Sequence, residues 1–390
     1  MTTAKTLEPS KKFEAIEFPS KKNEHWRFGA PKKLNQFWKD YIENSSKTEA
    51  NSVKIEVTGL TSEAIIAGVR CLDFASDTSE ITSLIGDFST ATRETLGSEK
   101  WANLNQTYRK GGACIYIPKD VVVTEPITVN YQFSGAGFFA PYTLIIAEEN
   151  SSAAIIERFE SLDAHGAIFS MAHTEAKKNS KISSSLLQVL NSDALLWRAV
   201  TTYAHDFAEL QQSYFHFGGD YTRQDWYAKI LGKEATLDLF AINIINNEHS
   251  SDIRTFQHHA QPHSVSNLLF KNTLYNKALS TFSGLIKVDE GAHFTDAYQT
   301  CRNLLMDETA LSHSMPGLEI NADQVKCSHG STSSTIHADE IYYLLARGIK
   351  KETAQFLIAR GFSMEVIERI NNEQVQEIIE KSLDNYLQSL

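Results

Sequence analysis

The chain has 390 residues, of which 42% are hydrophobic and 22% are charged, so it carries enough apolar material to bury a sizeable core. Its 48 acidic residues outnumber its 37 basic ones and give a formal charge of −11, which removes any general electrostatic reason to bind nucleic acid. No segment approaches the roughly 20 apolar residues of a membrane span, and the N-terminus lacks the apolar stretch of a signal peptide, so we expect a cytoplasmic protein that does not bind membranes.

The first 100 residues mix charged and apolar positions. Helical spacing within them predicts a helix over residues 32–42. The apolar residues that recur at this spacing are Leu34, Phe37, Trp38 and Tyr41. We expect residues 1–100 to form a mixed, partly helical N-terminal region.

Short β-branched and aromatic runs dominate residues 101–335 and predict strands. The clearest runs are 114–117, 121–123, 127–129, 142–147 and 153–156, and residues 235–241 alternate between apolar and polar with the period of a half-buried strand. So long a β region must protect its strand edges by closing, pairing or stacking into coils. Because no fixed-period repeat stands out, the pattern leaves a solenoid, a sandwich or a barrel open.

Residues 336–390 read as helical. Residues 344–349 and 357–362 are similar to each other, and they predict two helices that end at Gly348 and Gly361 in the left-handed conformation. Ser363 and Asn372 are predicted N-caps of the helices that follow.

The last predicted helix has one apolar stripe, which either packs on its own domain or docks a partner. The sequence leaves both alternatives open. The stripe consists of Val375, Ile378, Ile379, Leu383 and Leu387.

The C-terminal third contains runs whose order and spacing resemble the SufB/SufD family of iron–sulfur cluster assembly proteins. These runs are IRTFQHHAQPHS at 253–264, TDAYQT at 295–300, NLL at 303–305, LEINADQVKCSHG at 318–330, YL at 343–344 and RGI at 347–349. Weaker matches, KNEHWR at 22–27 and IPKDVVV at 117–123, extend the resemblance over nearly the whole chain. The KCSHG segment is closer to the SufD than to the SufB members, and the cluster cysteine region of SufB has no evident counterpart.

The resemblance implies a mainly β fold in which a right-handed parallel β-helix (β-solenoid) core over 101–335 lies between a helical N-terminal region and a C-terminal helical domain, 336–390. It also implies a non-catalytic scaffold subunit of a SufBCD-type complex. Such a subunit pairs with a SufB-like partner, binds a SufC-like ATPase and shares a transient iron–sulfur cluster with the SufB-like partner. The sequence has no phosphate-binding loop of the GxxxxGK[ST] type, so we do not expect this chain to bind ATP itself.

Cys327 and His329 are one residue apart, so on a strand their side chains leave the same face. The four cysteines, Cys71, Cys114, Cys301 and Cys327, are far apart, and we expect reduced thiols that are poorly placed to hold a cluster alone. The resemblance implies that His329 contributes to a cluster site at the interface with the partner, with Cys327 as a supporting candidate. Without it, a buried cysteine and a core histidine would be the default interpretation.

The resemblance further implies that the ATPase docks on the C-terminal helices. The candidate docking residues are Tyr343, Leu344, Arg347, Gly348, Ile349, Phe356, Arg360, Gly361 and Phe362.

His258, His259 and His263 form the densest histidine group, but Pro262 disfavours the helical pairing of zinc enzymes, so we predict turn and surface positions. Two alternative functions stay open. One is a β-solenoid enzyme acting on carbohydrate, which would need convergent carboxylates and usually an export signal. The other is a SufB-like scaffold that pairs with a second copy of itself, and a homodimer is possible for the isolated chain in any case.

Overall fold

The computed structural model describes residues 11–43, 52–74, 96–109, 111–161, 166–336 and 338–390. Parts of the predicted N-terminal region, residues 1–10, 44–51 and 75–95, lie outside them. The helices are α1 Lys11–Ala15, a 3₁₀ helix at Glu24–Trp26, α2 Pro31–Glu43, α3 Ser62–Ile66, α4 Glu99–Tyr108, α5 Ala338–Leu345, α6 Lys351–Ile367 and α7 Glu373–Gln388. Helix α2 confirms the helix predicted over residues 32–42. None of the helices in the described ranges is long and apolar enough to cross a membrane.

The region between α4 and α5 consists of β-strands, and two further strands precede it. The strands are β1 Ser52–Thr58, β2 Arg70–Asp73, β3 Gly112–Ile117, β4 Ile127–Ser134, β5 Gly137–Phe139, β6 Tyr142–Ala147, β7 Ser152–Ser161, β8 Gly166–Ala176, β9 Lys181–Leu190, β10 Leu195–Ala204, β11 Glu209–Gly218, β12 Tyr221–Ile230, β13 Thr236–Ile245, β14 Ser250–His259, β15 Val265–Leu274, β16 Leu279–Val288, β17 Asp296–Leu305, β18 Leu311–Ile320 and β19 Lys326–Thr335.

The strands form two sheets that the chain visits alternately. Sheet A has the order β1-β4-β7-β9-β11-β13-β15-β17-β19, and sheet B has the order β18-β16-β14-β12-β10-β8-β6-β3-β2, with β5 beside β8. Neighbouring strands are parallel except β1 with β4 and β2 with β3, which are antiparallel. The fold is therefore mainly β, a β-solenoid of about 8 turns between residues 112 and 335 with helices at both ends, as predicted.

The strand register explains why no fixed repeat is visible in the sequence. Leu195 pairs with Tyr221, 26 positions later, whereas Leu279 pairs with Leu311, 32 positions later. The corner loops differ in length, so the spacing between equivalent positions drifts from one coil to the next. The prediction of a strand at residues 121–123 is wrong. This segment lies in the corner between β3 and β4 and makes a single bridge, from Val122 to Ser152.

One corner of the solenoid is built from residues in the left-handed conformation. Asn150 Nδ2 donates to Asp120 Oδ1 (2.6 Å), and Asn179 Nδ2 donates to Asn150 Oδ1 (3.0 Å). Asp120, Asn150 and Asn179 are thus joined by hydrogen bonds from one coil to the next. Asparagine and aspartate tolerate a positive φ better than other side chains do. The full set is Asp120, Asn150, Asn179, Phe207, Glu234, His263, Phe294 and Gln324, with φ between 55° and 63°.

The inner faces of the two sheets enclose a lumen, and helices pack on part of each outer face. Leu237, Leu239 and Ala241 are buried on the inner face of β13, which confirms the predicted alternation. The stripe of α7 is buried against the outer face of sheet A, including Phe215 and Phe240. Of the two alternatives for this stripe, packing on its own solenoid is therefore the one that the structure supports.

The helix ends predicted for the C-terminal region are right in two places and wrong in two. Gly348 has a φ of 79° and follows α5, and Asn372 Oδ1 accepts from Val375 N (3.0 Å) at the start of α7. Gly361 and Ser363 instead lie inside α6, where Ser363 Oγ donates to Ala359 O (2.9 Å). The helix continues through the glycine because the turns that follow it are buried against sheet A.

Candidate functional site

The last coil of the solenoid has two strands that are paired on one side only. Among the described strands, β18 pairs with β16 and β19 pairs with β17, and neither has a second neighbour in its sheet. Ser312 Oγ and Ser333 Oγ, 2.8 Å apart, connect the two strands across the lumen. An unpaired strand edge offers a row of backbone donors and acceptors to another chain.

Cys327 and His329 lie on the lumen side of this last coil. The register pairs Ala297 with Cys327 and Gln299 with His329, and both β17 residues are buried in the lumen. Cys327 is half-buried, whereas His329 is exposed. The structure therefore brings the two predicted site residues together on the inner face of the open end, as the strand spacing predicted.

The Cys327 thiol is held in its protonated form. Burial, with a further contribution from the charge of Asp296, raises the pKa of Cys327 above its ordinary value, against a backbone contact with Ala297 that lowers it. Iron would have to displace this proton before the sulfur could act as a ligand. Within the described ranges, no three histidine, cysteine, aspartate or glutamate side chains converge in a way that could hold a metal ion.

Two of the other cysteines have less reactive surroundings. Burial raises the pKa of Cys71 and of Cys301 to about 11. Cys301 lies on the lumen side of β17, where Asn272 Nδ2 is 3.5 Å from its sulfur. At neutral pH these thiols are therefore protonated, and a protonated thiol is a weak nucleophile and a poor metal ligand.

The three neighbouring histidines have separate partners. His258 contacts Asp289 Oδ2 (2.8 Å), and the His263 ring stacks on Phe294 at a corner of the solenoid. His259 is buried between Ser264 Oγ (2.7 Å) and Ser266 Oγ (2.8 Å). The prediction of turn and surface positions is thus right for His263 and wrong for His259, because β14 extends through His259 and turns its side chain into the lumen.

Acid is expected to destabilise the fold through two lumen histidines. Burial lowers the pKa of His216 from 6.5 to about 4, and burial together with the neighbouring charge of His258 lowers that of His259 to about 3. The unfolded chain takes up a proton on each imidazole near pH 6.5 and the folded chain does not, so falling pH favours unfolding. Between pH 6.5 and 4 each histidine should remove up to about 3 kcal/mol from the free energy of unfolding.

Urea unfolding at pH 7, 5 and 4 measures this effect. His259→Gln should show a weaker pH dependence than the wild type, whereas His293→Gln, at an exposed corner position, should keep the wild-type dependence. Equal pH dependence in all three proteins would contradict the assignment.

The candidate docking residues divide into an exposed group on and after α5 and a packed group on α6. Arg347 lies with its guanidinium carbon 3.5 Å above the ring of Tyr343, and both are exposed. Tyr342, which is 71% exposed, and Leu345 extend this surface, and the sequence interpretation missed both. Leu344 and Ile349 are half-buried, and Gly348 is exposed.

The α6 group is largely engaged within the chain. Arg360 forms ion pairs with Glu380 and, at 2.7 Å, with Asp384 on α7. The ring of Phe362 lies 4.6 Å from Lys271 Nζ, and Phe356 packs against the apolar cluster beneath α7. Gly361 is exposed in mid-helix.

Comparison with known proteins points to one family. Residues 131–362, more than half of the chain, match the family described as "SUF system FeS cluster assembly, SufBD core domain". The iron–sulfur cluster assembly protein SufD of Escherichia coli is 32% identical over 238 residues, which cover 59% of this chain and 54% of that protein. SufD of Bacillus subtilis is 24% identical over 363 residues, covering 86% and 78%. A chloroplast protein of Arabidopsis thaliana, ABCI7, is 27% identical over 394 residues, covering 92% and 81%. The matched region contains Cys327, His329 and all the candidate docking residues.

Proposed function

The chain is a SufD-like member of the SufBD family of iron–sulfur cluster assembly proteins, and on that basis we propose that it is the non-catalytic scaffold subunit of a SufBCD-type complex in the cytoplasm. It pairs with a SufB-like subunit and binds a SufC-like ATPase. The iron–sulfur cluster is cargo that the two scaffold subunits share and then release. The observation that carries this proposal is the position of His329 and Cys327 on the last strand of the solenoid, β19, which has a neighbouring strand on one side only among the described strands.

The open end of the solenoid suits a paired partner. Strands β18 and β19 present ten residues each, and each has one edge without a neighbouring described strand. A partner with a similar open end could add strands to both sheets at once, with main-chain hydrogen bonds supplying affinity. Any cluster bound by His329 and Cys327 would then lie at the junction between the two subunits.

The ligand types fit a site that must release its product. Clusters are held mainly by cysteine thiolates, and histidine can replace some of them. This chain offers one imidazole and one protonated thiol at the junction, so the partner would supply the other ligands. A mixed ligand set of this kind should hold a cluster less firmly than four thiolates do.

The energy for assembly must come from another subunit in this proposal, and α5 offers the docking surface. Tyr342, Tyr343 and Arg347 present exposed aromatic and guanidinium groups, which are the side chains that dominate many protein interfaces. Phe356 and Phe362 would act indirectly, by holding α6 against the solenoid, and Arg360 would do so by holding α6 against α7.

Charge reversal in the turn that follows α5 tests the docking proposal. Arg347→Glu should weaken binding of the SufC-like ATPase at least about tenfold, because it removes an exposed cation stacked on Tyr343 and places a carboxylate there. Isothermal titration calorimetry on the full chain gives the affinity. Lys178→Glu, the same charge change at an exposed corner of the solenoid, should leave the affinity unchanged. If Arg347→Glu binds the ATPase with wild-type affinity, the exposed surface formed by Tyr343 and Arg347 is not part of the interface.

The self-pairing alternative uses the same two strand edges. Sizing the chain with and without a SufB-like subunit distinguishes the two pairings, since the proposal requires a mixed complex to form in preference to a homodimer. The carbohydrate-active alternative has no support from the family match, which describes iron–sulfur cluster assembly.

A further inference from the structure

Two of the stretches that carry the family resemblance place glutamine side chains in the lumen beneath the last coil. Gln257, on β14, and Gln299, on β17, are buried. Gln299 Nε2 donates to Gln257 Oε1 (3.0 Å), and Gln257 Nε2 donates to Ser266 Oγ (2.9 Å). Ser266 is in turn held by His259. This chain of hydrogen bonds fixes the Gln299 amide with its donor group turned away from the last coil.

The other end of the same amide is left without a partner. Gln299 Oε1 accepts no hydrogen bond within the described ranges, although the residue is only 1% exposed. Buried carbonyl oxygens without a donor are uncommon in native proteins and call for an explanation. Gly284 on β16 makes room for this oxygen, because a Cβ at that position would lie 2.8 Å from it.

The strand register places His329 next to Gln299. Gln299 and His329 are direct partners in the parallel pair of β17 and β19, on strands that lie about 4.8 Å apart, and both face the lumen side. Because His329 belongs to the last coil, no further described strand covers it. In the chain alone, His329 is exposed and has no hydrogen bond to Gln299.

We propose that Gln299 is a positioning residue for His329. When a partner covers β19, Gln299 Oε1 accepts a hydrogen bond from an N–H group of the His329 ring. This inference rests on the proposed role of His329 as a cluster ligand. A neutral imidazole has one nitrogen that carries a proton and one that has a free lone pair. A hydrogen bond from one ring N–H to Gln299 Oε1 therefore favours the tautomer in which that nitrogen carries the proton. The second nitrogen is then oriented toward the junction, where it can bind iron. Histidines that bind metals commonly donate their other N–H to such an acceptor.

The tautomer of His329 tests the proposal without iron. The full chain, labelled with ¹³C at histidine Cδ2, is combined with its unlabelled SufB-like partner, because the Cδ2 chemical shift distinguishes the two neutral tautomers. His329→Ala identifies the signal. The wild type should show one tautomer, Gln299→Leu a mixture, and Gln299→Glu, which keeps an acceptor oxygen, one tautomer again. Gln212→Leu removes a lumen glutamine on β11 and should match the wild type.

Cluster retention in the same complexes provides the second measurement. Gln299→Leu should retain an anaerobically reconstituted cluster at least about tenfold less well than the wild type, in the range found when a histidine ligand loses its supporting partner. A tautomer mixture in the wild type, or an unchanged single tautomer in Gln299→Leu, would overturn the positioning role. If His329→Ala retains its cluster, the proposed role of His329 as a cluster ligand fails instead, and the iron-free tautomer result still decides whether Gln299 holds His329.

Discussion

Arg223→Met is expected to lower the free energy of unfolding by about 3–5 kcal/mol, the range for removing one partner of a buried ion pair. Arg223 Nε lies 2.6 Å from Asp225 Oδ1, and Arg223 Nη1 lies 2.7 Å from Asp252 Oδ2. All three side chains are at most 1% exposed. Without the guanidinium, Asp252 keeps its ion pair with Arg254 (2.9 Å), and Asp225 loses the ion pair that it has among the described residues.

The same side chain joins the N-terminal segment to sheet B. Arg223 Nη1 donates to His25 O (2.7 Å), Arg223 Nη2 donates to Leu96 O (3.2 Å), and the guanidinium lies 4.0 Å above the ring of Trp26. His25 and Trp26 belong to the segment at residues 22–27 that carries the weaker resemblance to the family. Arg223→Met should therefore also loosen the segment around Trp26.

Urea unfolding followed by circular dichroism measures the loss of stability. Arg302→Met is the matched control, because Arg302 is 45% exposed and its ion pair with Glu365 should contribute less than about 1 kcal/mol. Adding Asp225→Asn to Arg223→Met should recover part of the stability, because Asp225 is the buried carboxylate that loses its ion pair, whereas Asp252 keeps its ion pair with Arg254. If the free energy of unfolding of Arg223→Met lies within about 1 kcal/mol of the wild-type value, the ion-pair network around Arg223 does not stabilise the fold.

His329→Ala is expected to reduce cluster formation in the proposed complex at least about tenfold, because it removes the imidazole that we place at the proposed junction between the subunits. The measurement is anaerobic reconstitution of this chain with its SufB-like partner and the ATPase, followed by visible absorption. His293→Ala, which removes an exposed histidine at a corner of the solenoid, should leave the yield unchanged. Cys327→Ser should give a smaller decrease than His329→Ala.

Measuring the size of each complex distinguishes a variant that loses the cluster site from one that no longer assembles with its partners. A reduced yield in a complex of normal size would assign His329 to the site. An unchanged yield would transfer the cluster chemistry to the partner and leave this chain as a structural half of the scaffold. A complex that falls apart would indicate that β19 contributes mainly to pairing.

Local sequence patterns predicted the features that depend on neighbouring residues. The spacing of apolar residues in α2, the alternation in β13, the left-handed Gly348 and the N-cap at Asn372 were all predicted from a few adjacent positions. The position of Cys327 and His329 on the same face of β19 follows from strand geometry alone. The KCSHG segment supported a family assignment that the comparisons confirm.

Contacts between distant segments decided the remaining features. The corner loops have unequal lengths, and these lengths set which residues pair between coils. The spacing of apolar residues in the sequence therefore could not predict the solenoid. It also could not predict the burial of His259 or the position of Gln299 beside His329. Burial against sheet A carried α6 through Gly361 and engaged the α7 stripe and Arg360 within the chain. The sequence by itself thus determined the local conformations and the family. Only the tertiary structure decided which side chains are left exposed for partners, because exposure depends on the segments that pack from elsewhere in the chain.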